Sequence, residues 1–189
     1  MPKYPAPLLR RAKKVKLLLM DVDGVLTDGK IYYLPGPKGE FVESKTFHSR
    51  DGAGIRLAHL GGIKTGFITG RESGVVSHRA KELGIHYLYQ AAGTKGSSLD
   101  RILKASGFQA DQVCFVGDDI VDLPVLRRVG LAVAVADCDP TLRRQVHYVT
   151  RARGGAGAVR ETVELILHAQ NQLRKISERI ASNQSSLVG

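Results

Sequence analysis

Six short apolar runs punctuate the chain: Lys16–Asp21, Thr65–Thr69, His86–Tyr89, Val113–Gly117, Leu131–Val135 and His147–Thr150. Most are continuous rather than alternating. A strand buried on both faces reads that way, which is the habit of a parallel sheet. Helix-length segments separate the runs: Gly54–Leu60, Ser73–Leu83, Gly96–Ala105, Ile120–Val129 and Thr141–Gln145. Strand and helix in alternation predict an α/β fold with a doubly wound, mostly parallel sheet. Its crossovers are right-handed, and ligands sit at the carboxyl ends of the strands.

Two stretches break this rhythm. Residues 30–48 read as a β-hairpin insertion, Lys30–Tyr33 and Glu40–His48 joined by a Pro/Gly-rich tip at 34–39. A two-stranded hairpin is marginal alone and needs something to pack against. From Gly157 to about Ile180, one long helix is predicted, with Val159, Val163, Ile166, Leu173, Ile176 and Ile180 on one side. Residues 182–189 look frayed. The chain thus divides into a basic N-terminal extension (1–15), one domain (16–170, hairpin 30–48) and a C-terminal helix end with its tail (171–189). No internal repeat and no linker splits it.

Length and composition agree with a single domain: 189 residues, 43% apolar and 24% charged. No apolar run approaches the ~18 residues of a membrane span, and no signal-peptide layout opens the chain. A cytoplasmic location is expected. Cys114 and Cys138 lie in or just after strand-like runs and read as small core residues of a reducing compartment. The net charge of +10 is local. Residues 1–16 hold six Lys/Arg and residues 143–160 hold five, with no acid in either segment. There is no RNA-binding signature, zinc-finger spacing or aromatic interleaving, and Trp is absent. Such charge marks a site for small anions or just a solvated terminus, and nucleic acid is the weaker reading.

The candidate chemistry lies where strands end. Residues i and i+2 of an extended chain point the same way, so Asp21 and Asp23 share one side at the end of the first strand. Two carboxylates so close need a cation or a shared proton. A second strand ends in Gly117-Asp118-Asp119, with Asp122 three residues on. Hard divalent cations such as Mg²⁺ take oxygen ligands of this kind. A third ends in Thr69-Gly70-Arg71, whose hydroxyl and helix start offer donors to an anion. Lys95 follows Gly93-Thr94 at another helix start.

In this order the four sites resemble the haloacid dehalogenase-like phosphohydrolases: Asp21-Val-Asp23-Gly-Val, Thr69, Lys95 and Gly117-Asp118-Asp119 with Asp122. The resemblance spans Leu17 to about Leu167 and implies a Rossmann-type fold. The stretches DVDGVLTDG, FHSRDGAGIRL, FITGRES and VGDDIVDLPVL are similar to the branch that acts on 3-deoxy-D-manno-octulosonate 8-phosphate, a precursor of lipopolysaccharide. That resemblance implies an Mg²⁺-dependent phosphomonoesterase. Asp21 would be the nucleophile and form an aspartyl phosphate, and Asp23 would be general acid and base. Thr69 and Lys95 would bind phosphoryl oxygens. The metal would sit on the Asp21 and Asp118 side chains and the Asp23 main-chain carbonyl, with Asp119 and Asp122 orienting waters and Lys95.

For the substrate, the same resemblance implicates Asp23, Lys95, His48, Ser49, Arg50, Asp51, Gly52 and Arg56. Arg71 sits at the expected mouth of the site, and Arg79 lies about two helical turns on. Arg suits planar anions. The spacings leave no room for a cap domain between Asp21 and Thr69 or between Thr69 and Lys95. Another subunit is therefore expected to complete the site in a homo-oligomer, and the resemblance implies a tetramer built around the hairpins. Gly154-Gly155-Ala156-Gly157 reads as flexible enough to reach a neighbour. The rival readings are a phosphatase of a nine-carbon sugar acid phosphate, and a non-catalytic oligomerisation module of the same fold.

Overall fold

Leu17, Leu18, Leu19 and Met20 have no exposed surface at all. They form strand β1 (Leu17–Met20), which runs through the middle of a six-stranded parallel sheet in a computed structural model that describes residues 4–91 and 93–182. The other strands of this sheet are β4 (Lys64–Ile68), β5 (Tyr87–Tyr89), β6 (Val113–Gly117), β7 (Leu131–Ala134) and β8 (Tyr148–Val149). Their order is β5-β4-β1-β6-β7-β8, so each predicted apolar run became a strand of the sheet. β1 pairs with β4 on one side and β6 on the other, with Met20 opposite both Phe67 and Val116. The chain winds outward from β1 in both directions, and a crevice opens at that switch point, at the carboxyl ends of β1, β4 and β6.

The helices are α1 (Ala6–Lys13), α2 (Ser49–Leu60), α3 (Gly74–Glu82), α4 (Lys95–Ser106), α5 (Leu123–Leu126), α6 (Ala158–Ala169) and α7 (Leu173–Ala181). α6 packs against α1, α2 and α7, while α4 packs on α5. Two of the predicted helices are shorter than the pattern implied. Residues 120–129 begin as a 3₁₀ turn, Ile120–Asp122, before the four residues of α5, and residues 141–145 hold only the 3₁₀ turn Leu142–Arg144.

Three differences from the sequence pattern have physical causes. The long C-terminal helix is two helices, because Asn171 adopts a left-handed conformation (φ 57°) between α6 and α7. Asn is among the few non-glycine residues that tolerate it. The segment before β1 holds α1, which buries Leu8 and Ala12 against the core, with Pro in its first turn and Arg10, Arg11 and Lys13 in its last. That distribution suits the helix dipole. The glycine segment does not reach outward. The Gly155 N–H donates to the Val25 carbonyl at 2.9 Å, and the Gly154 N–H to Asp137 Oδ1 at 2.9 Å. A Cβ on Gly154 would lie 1.8 Å from the Gly24 carbonyl oxygen. Cutting the chain before Gly154 would also remove α6, whose Val159, Val163, Leu165, Ile166 and Leu167 are fully buried.

The hairpin forms its own two-stranded sheet, β2 (Tyr32–Pro35) antiparallel to β3 (Phe41–Ser44). It stands away from the core. Tyr33, Leu34 and Val42 are exposed, and Phe41 is 76% exposed. No helix among the described residues is long and apolar enough to cross a membrane. The frayed tail expected at residues 183–189 lies outside the described residues.

Candidate active site

Each predicted strand-end residue arrives at the crevice because its strand delivers it there. Asp21 follows β1; its N–H donates to the Val116 carbonyl at 3.0 Å, and its Oδ1 accepts the Val22 N–H at 2.7 Å. Lys95 opens α4, which Thr94 caps through the Ser97 N–H. The Lys95 ammonium lies 2.6 Å from Asp21 Oδ2 and 2.7 Å from Asp122 Oδ1. Asp122 is completely buried, and its other oxygen accepts the N–H groups of Asp118 (2.9 Å) and Asp119 (3.3 Å). Asp122 therefore fixes the loop after β6 and orients Lys95 at once. Asp119 turns away and accepts the Ile120 N–H at 2.6 Å.

Asp118 is the odd member. Its Oδ1 is buried and has no hydrogen-bond partner. Burial, then the Asp21 and Asp122 charges, push its carboxyl up to about 7. Burial likewise raises Asp21 to about 6, against the pull of Lys95. Lys95 is held above its usual value: burial acts against its charge, and the Asp21 and Asp122 carboxylates outweigh it. Oxygens of Asp21, Asp118 and Asp122 all lie within 4.8 Å of one another. Asp122 is held by Lys95 and two N–H groups, and Asp21 by Lys95 and the Val22 N–H, so the unpartnered Asp118 oxygen is the one free to meet an ion, with the remaining lone pairs of Asp21 beside it. An oxygen-only donor set with an orphaned buried carboxylate fits a hard divalent cation.

Asp21, Asp23, Thr69, Gly70, Arg71 and Lys95 line one cleft of about 460 Å³, with Gly93, Thr94, Val121 and Pro124 completing its wall. A larger cavity of about 720 Å³ opens at the amino ends of β1, β4 and β6, between Lys13, Lys16, Gly62 and Gln172; its acid–base pair, Lys14 with Asp111 at 3.1 Å, is exposed to solvent and carries none of the strand-end motifs. Thr69 is buried at the end of β4, and its hydroxyl lies 3.5 Å from the Arg71 N–H. The Arg71 guanidinium reaches the hairpin, 3.3 Å from the Tyr33 hydroxyl and 3.5 Å from Glu43 Oε1.

The remaining predicted substrate contacts do not line this cleft. His48 caps α2, its Nδ1 accepting the Arg50 N–H at 3.1 Å, and Ser49 and Arg50 form the exposed first turn. Asp51 is 1% exposed and points inward. It accepts the Gly157 N–H at 3.0 Å and the Arg160 N–H at 2.8 Å, capping α6. Burial raises its carboxyl against the pull of those two donors. Gly52 packs on Arg79: a Cβ there would lie 2.6 Å from the guanidinium. Arg79 stacks over the Phe47 ring at 5.4 Å and pairs with Glu82 at 2.8 Å. Arg56 lies on α2, one turn beyond Gly52.

Two residues at the cleft were not anticipated. Lys45, with a completely enclosed side chain, pairs with Asp23, and Glu43 pairs with Lys45 at 3.3 Å and accepts the Ser73 hydroxyl. Positions 43 and 45 share one side of the hairpin strand. That spacing was the available signal, but only the tertiary fold brings them to Asp23.

The family model of haloacid dehalogenase-like hydrolases matches residues 32–130. The curated 3-deoxy-D-manno-octulosonate 8-phosphate phosphatase KdsC of Yersinia pestis is 46% identical over 166 residues, covering 88% of this chain and 87% of the relative. A crystal structure of that phosphatase from Yersinia pestis superposes with a TM-score of 0.84 over 89% of both chains. The Moraxella catarrhalis phosphatase, crystallised with magnesium ion, phosphate ion and KDO molecule, gives 0.87 at 37% identity, over 94% of this chain and 99% of its own. The four motifs and the parallel sheet they terminate are thus those of a known family: the chain belongs to the haloacid dehalogenase-like hydrolases and, among them, to the phosphoric monoester hydrolases that the KdsC phosphatases represent.

Proposed function

We propose that the protein hydrolyses 3-deoxy-D-manno-octulosonate 8-phosphate to the free sugar acid and phosphate, with Mg²⁺, in the synthesis of lipopolysaccharide precursors. The observation that carries this reading is the Asp21–Lys95–Asp122 bridge beside the unpartnered Asp118, in a cleft that also holds Asp23, Thr69 and Arg71.

The difficulty of the reaction is charge, since a carboxylate must approach a phosphate dianion. The Asp21 and Asp118 carboxylates and the Asp23 main-chain carbonyl would hold Mg²⁺, which would supply positive charge against that repulsion. Asp21 attacks phosphorus; its Oδ–P bond forms as the bond to the sugar oxygen breaks. Asp23 gives its proton to the departing oxygen, then takes one from the water that hydrolyses the aspartyl phosphate. Lys95, already fixed by Asp122, and the Thr69 hydroxyl hold phosphoryl oxygens. Arg71, exposed at the rim, meets the sugar carboxylate.

The exposed apolar hairpin supports a homotetramer in which hairpins cover one another and one subunit walls the cleft of the next. His48, Arg50, Arg56 and Arg79, off the cleft of their own chain, would then serve a neighbour's. The test is phosphate release across sugar acid phosphates of eight and nine carbons, with and without Mg²⁺, alongside mass measurement in solution. Selective, Mg²⁺-dependent turnover of the eight-carbon substrate is expected. Preference for the nine-carbon substrate, or no release from either, contradicts the assignment.

A further inference from the structure

Lys45 belongs to none of the motifs that mark the phosphoryl site, yet its side chain is 0% exposed, more enclosed than the 6% of Lys95. It sits just beyond β3, between the carboxylates of Asp23 and Glu43. Glu43 is itself held by Arg71 and by the Ser73 hydroxyl. An ammonium taken out of water costs several kcal/mol, and an apolar set in place of Lys45 and both its carboxylate partners would serve stability as well or better, whereas loss of Lys45 alone leaves those carboxylates uncompensated. What a lysine adds at this place is direction. It engages Asp23 Oδ1, on a side chain that lines the cleft.

We infer that Lys45 is a positioning residue for Asp23: by holding Oδ1 it leaves Oδ2 facing the departing sugar oxygen. This rests on the reading of Asp23 as general acid. The proton passes from Asp23 to the leaving oxygen as the P–O bond breaks, and returns to Asp23 from the attacking water; Lys45 keeps its own protons throughout. The hairpin thereby sets the geometry of the proton donor, since Lys45 and Glu43 are carried by or beside its second strand.

The test times phosphoryl transfer to the enzyme by rapid quench with two phosphates. One is 3-deoxy-D-manno-octulosonate 8-phosphate, whose alkoxide leaving group needs a proton; the other is p-nitrophenyl phosphate, whose leaving group does not. Lys45→Met is expected to slow transfer from the sugar phosphate by about 10- to 100-fold and from p-nitrophenyl phosphate by less than about 3-fold, with KM little changed. Lys45→Gln, milder in its packing, carries the same test if the Met variant does not fold. Asp23→Asn is the reference and must show the same selectivity between the two phosphates. Lys45 variants that slow both substrates equally, or neither, while Asp23→Asn discriminates, overturn the inference alone. An Asp23→Asn enzyme that does not discriminate overturns the acid reading, and the inference with it.

Discussion

Replacing Asp51 by Ala separates a structural role from a role in binding. In the fold, Asp51 is buried and accepts two backbone N–H groups, those of Gly157 and Arg160, at the start of α6. A buried donor left without its acceptor costs about 1–3 kcal/mol. Two such donors put the cost of Asp51→Ala at roughly 2–6 kcal/mol. For a chain of this size each kcal/mol lowers the melting temperature by about 2–4 °C, so a fall of roughly 4–24 °C is expected. Asp51→Asn keeps one oxygen acceptor and sheds the buried charge, and should cost less. Urea unfolding followed by circular dichroism measures the loss. Turnover is measured at a temperature where both variants remain folded, and there kcat and KM should stay close to wild type. An Asp51→Ala protein with wild-type stability but a greatly raised KM would refute the reasoning and return Asp51 to the substrate.

Gly24 has a φ of +89°, and a Cβ there would lie 2.1 Å from Asp118 Oδ2. Gly24→Ala should therefore raise the Mg²⁺ concentration for half-maximal activity, with backbone strain of about 1–3 kcal/mol; an unchanged Mg²⁺ titration would contradict the placement of Asp118. Activity should vanish in excess chelator and return with Mg²⁺, and full activity in the chelator would remove the metal from the account. His86 and His147 each accept a backbone N–H at Nδ1, from Thr65 at 3.3 Å and Ala132 at 2.9 Å. Burial lowers both, and nearby Lys64 and Arg11 add to it. Their contribution to stability is thus present above about pH 6.5 and lost as pH falls through their lowered folded values. The double variant His86→Asn/His147→Asn, which keeps an acceptor that does not titrate, should lose less urea midpoint than the wild type as pH falls from about 7 to 5, while Asp21 and Asp118, raised in the fold, push the midpoint the other way in both proteins. An equally steep profile in the variant would assign that dependence elsewhere.

The sheet was legible because its strands are buried on both faces, and a run such as Leu17–Met20 has few other uses. Asp21, Asp23, Thr69, Arg71 and Lys95 were legible for the same reason: strand and helix ends convert position in sequence into position at the crevice. What escaped the sequence depends on tertiary contact. α1 buries only Leu8 and Ala12 of its eight residues, so its periodicity is thin. The break at Asn171 rests on one residue's tolerance of a left-handed backbone. Lys45 looks like any solvated lysine until the hairpin folds over Asp23. Asp51 looks like a binding residue until α6, more than a hundred residues later in the chain, brings its amino end to it.

The central claim is that Asp21 attacks phosphorus, and labelling of the enzyme tests it most directly. Enzyme mixed with Mg²⁺ and radiolabelled 3-deoxy-D-manno-octulosonate 8-phosphate is quenched within the first turnover, and the labelled peptide is mapped. The account predicts label on Asp21 alone and none in folded Asp21→Asn protein, which should also release no phosphate. Label on any other residue, or turnover by Asp21→Asn at a rate near that of the wild type, would contradict it.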